Sequence, residues 1–473
     1  MIIKNPLGLS IHFLYNGSVK SIEVNPIRVS LKKSTPFSKS GANIYLRKRN
    51  TPFEFTALTG PDSNSVFCFE EDKFVAKGSW NGIDYLCVLQ LSTKSLSWQW
   101  SVEIKSTSNN AVELDLIYVQ DVGLKTLNDG LVNEYYVSQY LERLILEDKS
   151  YGSVVCCRQN MKESNGHPWL MMACKNGALA ASTDGMLFYG KTFRETGIPE
   201  GLLSSSLGGE YAGESSVVAI QEEPFKLESN KTHRADFVVA YLSDHPLATS
   251  SDDLKLLPSL GGEFNNNPPP ISSQKWIIPS KNLFNISPFL PADDLSDEEL
   301  TKFFGREKRH LEKANGKVLS FFSNVNKHVV LRAKEILVDR PHGHIMQAKA
   351  GLVPDENIVS TNSFAYGVFN SHITQGNTNF NILLSVCSSQ FNTALETGQR
   401  IFVKIDEQYY LLGVPSAYEI GLNHCRWIYK HGDRCFQVRT WTSKLAPQVN
   451  LDFKVLSGDD LDILITHHFD DSS

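Results

Sequence analysis

The sequence lacks the features that define several large protein classes. No run of about 18 apolar residues occurs, so nothing reads as a membrane-spanning helix. The opening MIIKNPLGLSIHFLYNGSVKSIEV has no apolar stretch ending in a small-residue cleavage site. It alternates like two strands joined at Asn16-Gly17, not like a secretory signal. The eight cysteines, at 68, 87, 156, 157, 174, 387, 425 and 435, form no CxxC pair. Several lie in apolar, strand-like runs, as buried thiols do, and the expected compartment is a reducing cytoplasm. Cys156 and Cys157 are neighbours on a strand and point to opposite faces, so they do not bridge. Charge of one sign is scarce too. A net charge of −6 and a pI near 6.1 offer no basic face for nucleic acid and no attraction to an anionic membrane. No G-x-S-x-G elbow is present, and Gly208-Gly209 and Gly213 lack the Lys-Ser/Thr of a phosphate-binding loop.

What is present is a globular, mainly β chain. A hydrophobic content of 41% excludes disorder as the main state, and 473 residues exceed a single core, which predicts two or three domains. Residues 1–280 read as a large β-sandwich. Alternating segments such as Val102–Ile104 and Val112–Val119 are punctuated by turn pairs at Asn81-Gly82, Asn109-Asn110, Asn165-Gly166, Asn176-Gly177 and Asp184-Gly185. One helical pattern interrupts them near Glu134–Glu142. Residues 281–345 read as a linker with helices. Ser296 and Glu299 form a capping box, with Leu295 and Leu300 placed as a hydrophobic staple. Helical spacing is expected to continue through Phe303, Phe304, Leu311 and Ala314 to a break at Asn315-Gly316, and to resume over Val318–Val338. Residues 346–473 read as a second β-rich domain. A weak echo between Trp100–Asp121 and Asn450–Asp470 suggests that this domain stops part-way.

The most distinctive stretch is FAYGVFNSHITQGNTNFN, Phe364–Asn381, which combines amides and aromatic rings and carries no Lys, Arg, Asp or Glu. A sugar hydroxyl both donates and accepts, as Asn and Gln do, and a pyranose C–H face packs on an aromatic ring. Tyr366, Asn370, His372, Gln375, Asn377 and Asn379 are therefore candidate carbohydrate contacts. An ordinary polar turn uses the same residue types. Arg194, beside Glu195, can clamp an anion bidentately or take part in a structural ion pair. His424, Cys425, His431 and Cys435 do not follow paired zinc spacing and are read as core thiols and turn histidines. His467-His468 reads as a strand end. No carboxylate pair stands out for acid–base work, and no metal is expected.

Four segments resemble glycoside hydrolase family 94, and within it the N-terminal β-supersandwich of 1,2-β-oligoglucan phosphorylases and cyclic β-1,2-glucan synthases. They are YVQDVG (118–123), Asn133-Glu134 with Val137–Tyr140, FYGKTFRETGIPEGLL (188–203) with GGEYAG (208–213), and Tyr366–Asn381. The resemblance spans roughly 1–470. It implies an inverting phosphorylase in which phosphate attacks the anomeric carbon, one carboxylic acid protonates the leaving oxygen, and glucose 1-phosphate is released. Inorganic phosphate is then a co-substrate and no organic cofactor is needed. The family's acid lies in a D-W-N-D-like segment of an (α/α)6 barrel. No such segment occurs here, and Ser79-Trp80-Asn81-Gly82 is a hairpin likeness with Ser in place of the acid. The resemblance thus implies a non-catalytic N-terminal portion. Its partners are β-glucan oligosaccharide and either a catalytic barrel or a second copy. A stand-alone glucan-binding or assembly module is the alternative.

Overall fold

The computed structural model describes residues 1–70, 72–126, 134–262, 264, 275–324, 326–348, 358–375, 384 and 390–469. Two compact units are formed. One comprises Met1–Gly190 and Pro199–Asn285, the other Lys191–Ile198 and Ile286–Ser473.

The first unit holds two sheets. A five-stranded sheet runs Ile2–Lys4, Leu9–Phe13, Val19–Val24, Ile27–Arg28 and Lys125–Thr126. The other sheet has 14 strands. From the Glu54–Ala57 edge it passes through Ala42–Lys48, Val112–Asp121, Val217–Glu222 and Ala178–Ser182, then Gly152–Gln159, Trp169–Cys174 and Thr232–Leu242. It ends with Ser97–Ser106, Ile83–Leu91, Lys73–Trp80 and Val66–Phe69. Two strands join off this path, Leu141–Asp148 on Gly152–Gln159 and Phe225–Leu227 on Val112–Asp121. Alternation explains the burial. Along Ser97–Ser106 the side chains of Trp98, Trp100, Val102 and Ile104 are buried while Glu103 and Lys105 are exposed. Ile3, Leu9, Ile11 and Phe13 of the small sheet share one apolar core with Trp98, Trp100, Tyr118 and Phe237 of the large one, which makes a sandwich.

The second unit is also β. Its seven-stranded sheet runs Arg309–Ala314, Lys317–Ser323, Lys327–Leu331, Ala417–Ile420, His424–His431, Arg434–Thr442 and Val449–Ser457. Two three-stranded sheets accompany it. One is Gly343–Gln347, Val359–Phe364, Val368–Gln375, and the other Gln408–Leu411, Gln399–Ile405, Asp462–His467. Met346, Phe369, Ile401 and Val403 from the small sheets pack with Tyr418, Trp427, Tyr429 and Phe436 from the large one.

The mainly β reading holds, and so do several local signals. The capping box exists as expected: the Glu299 N–H donates to Ser296 Oγ at 3.2 Å and the Ser296 N–H to Glu299 Oε2 at 2.7 Å. Leu295 and Leu300 fall in one cluster. The helix Glu134–Gln139 ends just before the strand Leu141–Asp148.

Two expectations fail. The helix begun at Asp297 stops at Phe304, strands Arg309–Ala314, Lys317–Ser323 and Lys327–Leu331 follow, and of the partly helical Val318–Val338 segment the short helix Arg332–Glu335 is found. Asn315-Gly316, read as a helix breaker, is a hairpin turn with φ of 49° and 77°. Both left-handed positions suit a primed two-residue turn. The helical spacing misled because Arg309–Ala314 is a largely exposed edge strand, whose side chains are chosen by solvent and not by a core. Asp184-Gly185 is not a hairpin turn either. Asp184 caps the short helix Gly185–Tyr189, accepting from the Met186 N–H at 2.8 Å.

Candidate functional site

The amide-rich stretch is a hairpin in the second unit, Val359–Phe364 against Val368–Gln375. Gly367, at φ 84°, makes the turn possible, because a Cβ there would lie 2.0 Å from the Leu412 carbonyl oxygen. The indole N–H of Trp427 donates to the carbonyls of Phe364 and Ala365 and fixes that turn from below. Tyr366 is buried at 1% exposure, packed with Val368, Val414 and the stacked ring of Phe364. Asn370 is fully buried. Its Oδ1 accepts from Thr361 Oγ1 at 3.3 Å and its Nδ2 donates to Gln399 Oε1. Gln399 Nε2 continues to Nδ1 of the exposed His467 at 3.1 Å. A chain of amides thus leads from the core to the surface. His372 sits at φ 45° where the register shifts by a residue, a bulge that leaves it half-buried. Gln375, also half-buried, ends the strand. Asn377 and Asn379 lie outside the described residues.

Arg194 lies on the Lys191–Ile198 excursion, in the short helix Phe193–Thr196. It is 1% exposed. Its Nη2 donates to the carbonyls of Glu335 (3.1 Å) and Val338, and its Nη1 stands 3.9 Å from Glu335 Oε1. Glu335 also takes the His342 N–H and Nδ1. Burial lowers the pKa of Arg194, opposed by Glu335 and the Tyr366 phenol. Of the candidates, then, the fold draws Arg194 and Tyr366 into electrostatic reach of each other.

In the first unit, residues of three motif segments, Val122, Ser138, Glu210 and Gly213, are tied into the fold by polar contacts. Ser138 Oγ meets Ser216 Oγ at 2.9 Å, and Ser216 Oγ donates to the Val122 carbonyl. Arg143 Nη1 donates to Asp184 Oδ2 at 3.1 Å and Nη2 to the Gly213 carbonyl at 2.6 Å. The Asp184 carboxylate also accepts from the Ser215 N–H. Glu210 Oε2 accepts from the Ile145 N–H at 3.0 Å and so caps an edge of Leu141–Asp148. Burial pushes the Asp184 carboxyl up, against Arg143 and the two backbone donors. Nearby strands carry two further buried carboxylates. Asp115 is held by Arg47, Arg49 and Gln221, with Arg47 also donating to the carbonyls of Gly201, Leu202 and Ser204. Glu222 is pushed up by burial, partly offset by His233 at 2.8 Å. Most of this network, Arg47, Asp115, Arg143, Asp184, Ser216 and Glu222, lies outside the motif segments, and no local sequence signal marked it.

His424 Nε2 contacts Glu419 Oε1 at 3.1 Å, while Cys425 is buried against the Tyr418 hydroxyl at 3.0 Å. No group of three metal-ligating side chains occurs among the described residues. Burial raises the Glu419 pKa, but His424, Arg426 and Lys327 outweigh it and hold the carboxyl down at about 2. Seven described cysteines are free and buried, and no helix among the described residues is long and apolar enough to cross a membrane.

Comparison with known proteins yields two family models in tandem. The SOGP N-terminal domain matches residues 12–238 and the glycoside phosphorylase supersandwich domain residues 304–470. The description "supersandwich" therefore falls on the second unit. The chain is 27% identical over 443 residues to a 1,2-beta-oligoglucan phosphorylase of Listeria innocua serovar 6a, covering 91% of this chain and 38% of that protein. Among solved structures, a polysaccharide lyase aligns at 5% identity, with a TM-score of 0.32, over 95% of this chain and 46% of its own. A bacterial glucoamylase complexed with acarbose aligns at 10% identity and a TM-score of 0.33, over 55% and 33%. At these scores neither structure carries an argument. Matched in tandem along most of its length, the chain carries an SOGP N-terminal domain followed by a glycoside phosphorylase supersandwich domain.

Proposed function

We propose that these 473 residues are the β-rich, non-catalytic portion of an inverting glycoside phosphorylase that acts on β-linked, specifically β-1,2, glucooligosaccharides. The observation that carries this reading is the tandem order of the two domains, aligned with 38% of the length of a 1,2-beta-oligoglucan phosphorylase. The state of the buried carboxylates supports it. A general acid must reach the glycosidic oxygen with its proton. Asp115, Asp184, Glu222, Glu335 and Glu419 are all buried and engaged by Arg, Lys or His. Phosphate attack and protonation of the leaving oxygen would then take place in a catalytic barrel, joined to these domains or paired with them, with a second copy of the chain as the alternative partner.

A second reading is a glucan-binding or assembly module. The amide chain from Asn370 through Gln399 to the exposed His467 favours it, as do the half-buried His372 and Gln375. On this reading Asn377, Asn379, Tyr366 and Arg194 complete or support the contact. Purified chain incubated with phosphate and β-1,2-glucooligosaccharides tests the first reading. No glucose 1-phosphate is expected, and its release would overturn the non-catalytic assignment.

A further inference from the structure

Glu210 accepts from the Ile145 N–H at 3.0 Å, which ties the GGEYAG segment, with its Tyr211, to the strand that follows Tyr140. We propose that Gln139, Tyr140, Glu210 and Tyr211 form a contact strip for a β-glucan chain, a site that rests on the phosphorylase-related reading above. Tyr140 and Tyr211 are 44% and 49% exposed, and Gln139 and Glu210 are exposed beside them.

The backbone carrying these rings is held firmly. The Tyr211 N–H donates to Thr183 Oγ1 at 2.8 Å, and that hydroxyl donates to the Tyr211 carbonyl at 2.9 Å. The Gly209 N–H donates to the Ala181 carbonyl at 2.9 Å, and Arg143 holds the Gly213 carbonyl. The Tyr211 ring lies against Gly213, where an added Cβ would stand 2.6 Å from Cε1. Any larger residue there would displace the ring. Glu210 is anchored on the Ile145 N–H, at the strand that begins one residue after Tyr140. Five residues of strand span about 17 Å, so the strip accommodates a short oligosaccharide and not merely one ring.

The chemistry suits a neutral polyol. Each tyrosine offers an apolar face for pyranose C–H groups and a polar tip. Gln139 can donate and accept, and the Glu210 carboxylate accepts from hydroxyls. Ala212, between Tyr211 and Gly213, adds little apolar area for a protein partner. Because the segment is already ordered, binding loses little backbone entropy. The amide hairpin of the second unit differs here, since its Tyr366 and Asn370 are buried at 1% and 0% exposure.

Isothermal titration calorimetry of the whole chain with β-1,2-glucooligosaccharides tests the strip, with cellooligosaccharides as a second probe. Tyr211→Ala should weaken binding about tenfold and Tyr140→Ala several-fold, while Tyr211→Phe keeps it. Tyr15→Ala, at a tyrosine of the same unit that is 81% exposed, should leave binding unchanged. Thermal melts of each variant should coincide with the parent, which separates lost contacts from lost folding. Three outcomes overturn the inference: no binding of either probe, binding indifferent to Tyr211→Ala and Tyr140→Ala, or an effect of these variants on self-association alone. None of them touches the non-catalytic assignment, which only glucose 1-phosphate release from the purified chain would remove.

Discussion

The two units bury polar side chains to different ends. In the first, buried ion pairs pin loops: Arg47 on Asp115 holds the carbonyls of 201, 202 and 204, and Arg143 on Asp184 holds that of Gly213. The segment pinned at Gly213 then presents Tyr211 to solvent. In the second, the polar hairpin itself turns inward, with Asn370 and Tyr366 in the core and only His372, Gln375 and the end of the amide chain near the surface. The carboxylates divide in the same way. Burial wins at Asp184 and Glu222, whose pKa values rise, whereas three bases around Glu419 reverse the effect of burial. The lesson is that burial alone does not set the state of a carboxylate. The number and placement of its cationic partners do.

The sharpest way to break the comparison is to remove a pin. Arg47→Ala leaves Asp115 buried with Arg49 and Gln221 and frees the carbonyls of 201–204. Losing this buried pair together with the donor to three carbonyls costs about 4 kcal/mol even though Arg49 still faces Asp115, and denaturant unfolding should show the first unit destabilised by that order. Arg194→Ala should cost the second unit less, about 3 kcal/mol, because His342 still holds Glu335. Equal losses, read by the same method, would erase the distinction between the two arrangements.

Acid should separate the units next. The Glu419 carboxyl is held at about 2 against an ordinary 4.5, a difference equivalent to about 3 kcal/mol. With the folded value depressed, that stability is fully present above about pH 4.5 and is lost as pH falls toward 2. Asp184 and Glu222 have the opposite sign. Their raised values mean that ionisation costs the fold stability, and the cost disappears as they protonate. Hydrogen exchange between pH 7 and pH 3 should therefore lose protection in His424–His431 before Ser97–Ser106. Simultaneous loss in both strands would contradict the carboxylate comparison.

Smaller effects follow on the two candidate surfaces. Asn370→Ala strands Thr361 and Gln399 without their buried partner and should cost about 2 kcal/mol in a thermal melt. Tyr211→Ala removes an exposed ring and should change stability by no more than about 0.5 kcal/mol. If Tyr211 proves the costlier, the assignment of the hairpin as inward and the strip as outward is reversed.

Much of the fold was legible because its signals are local. Period-2 alternation located the strands of the first unit, and Asn81-Gly82 formed its hairpin with both residues at positive φ. Ser296 and Glu299 marked a helix start that needs no tertiary partner. Arg309–Ala314 was misread because an exposed edge strand carries little alternation. Asp184-Gly185 was misread because the same dipeptide serves as a turn or as a helix cap. The amide-rich stretch was recognised as chemically unusual, but composition does not say which way a side chain points.

By itself the sequence determined the β class, the order of two β-rich regions, the helix cap and the motif segments that resemble a glycoside phosphorylase. Each of these depends on residues close together in the chain or on their linear order. Only the tertiary structure decided that the 191–198 excursion of the first region belongs to the second unit, that Asn370 is buried while Tyr211 is exposed, and that three bases converge on Glu419. Those outcomes depend on long-range strand pairing, because a side chain's neighbours across a sheet come from positions far away in the chain, and it is these neighbours that fix its solvation and charge.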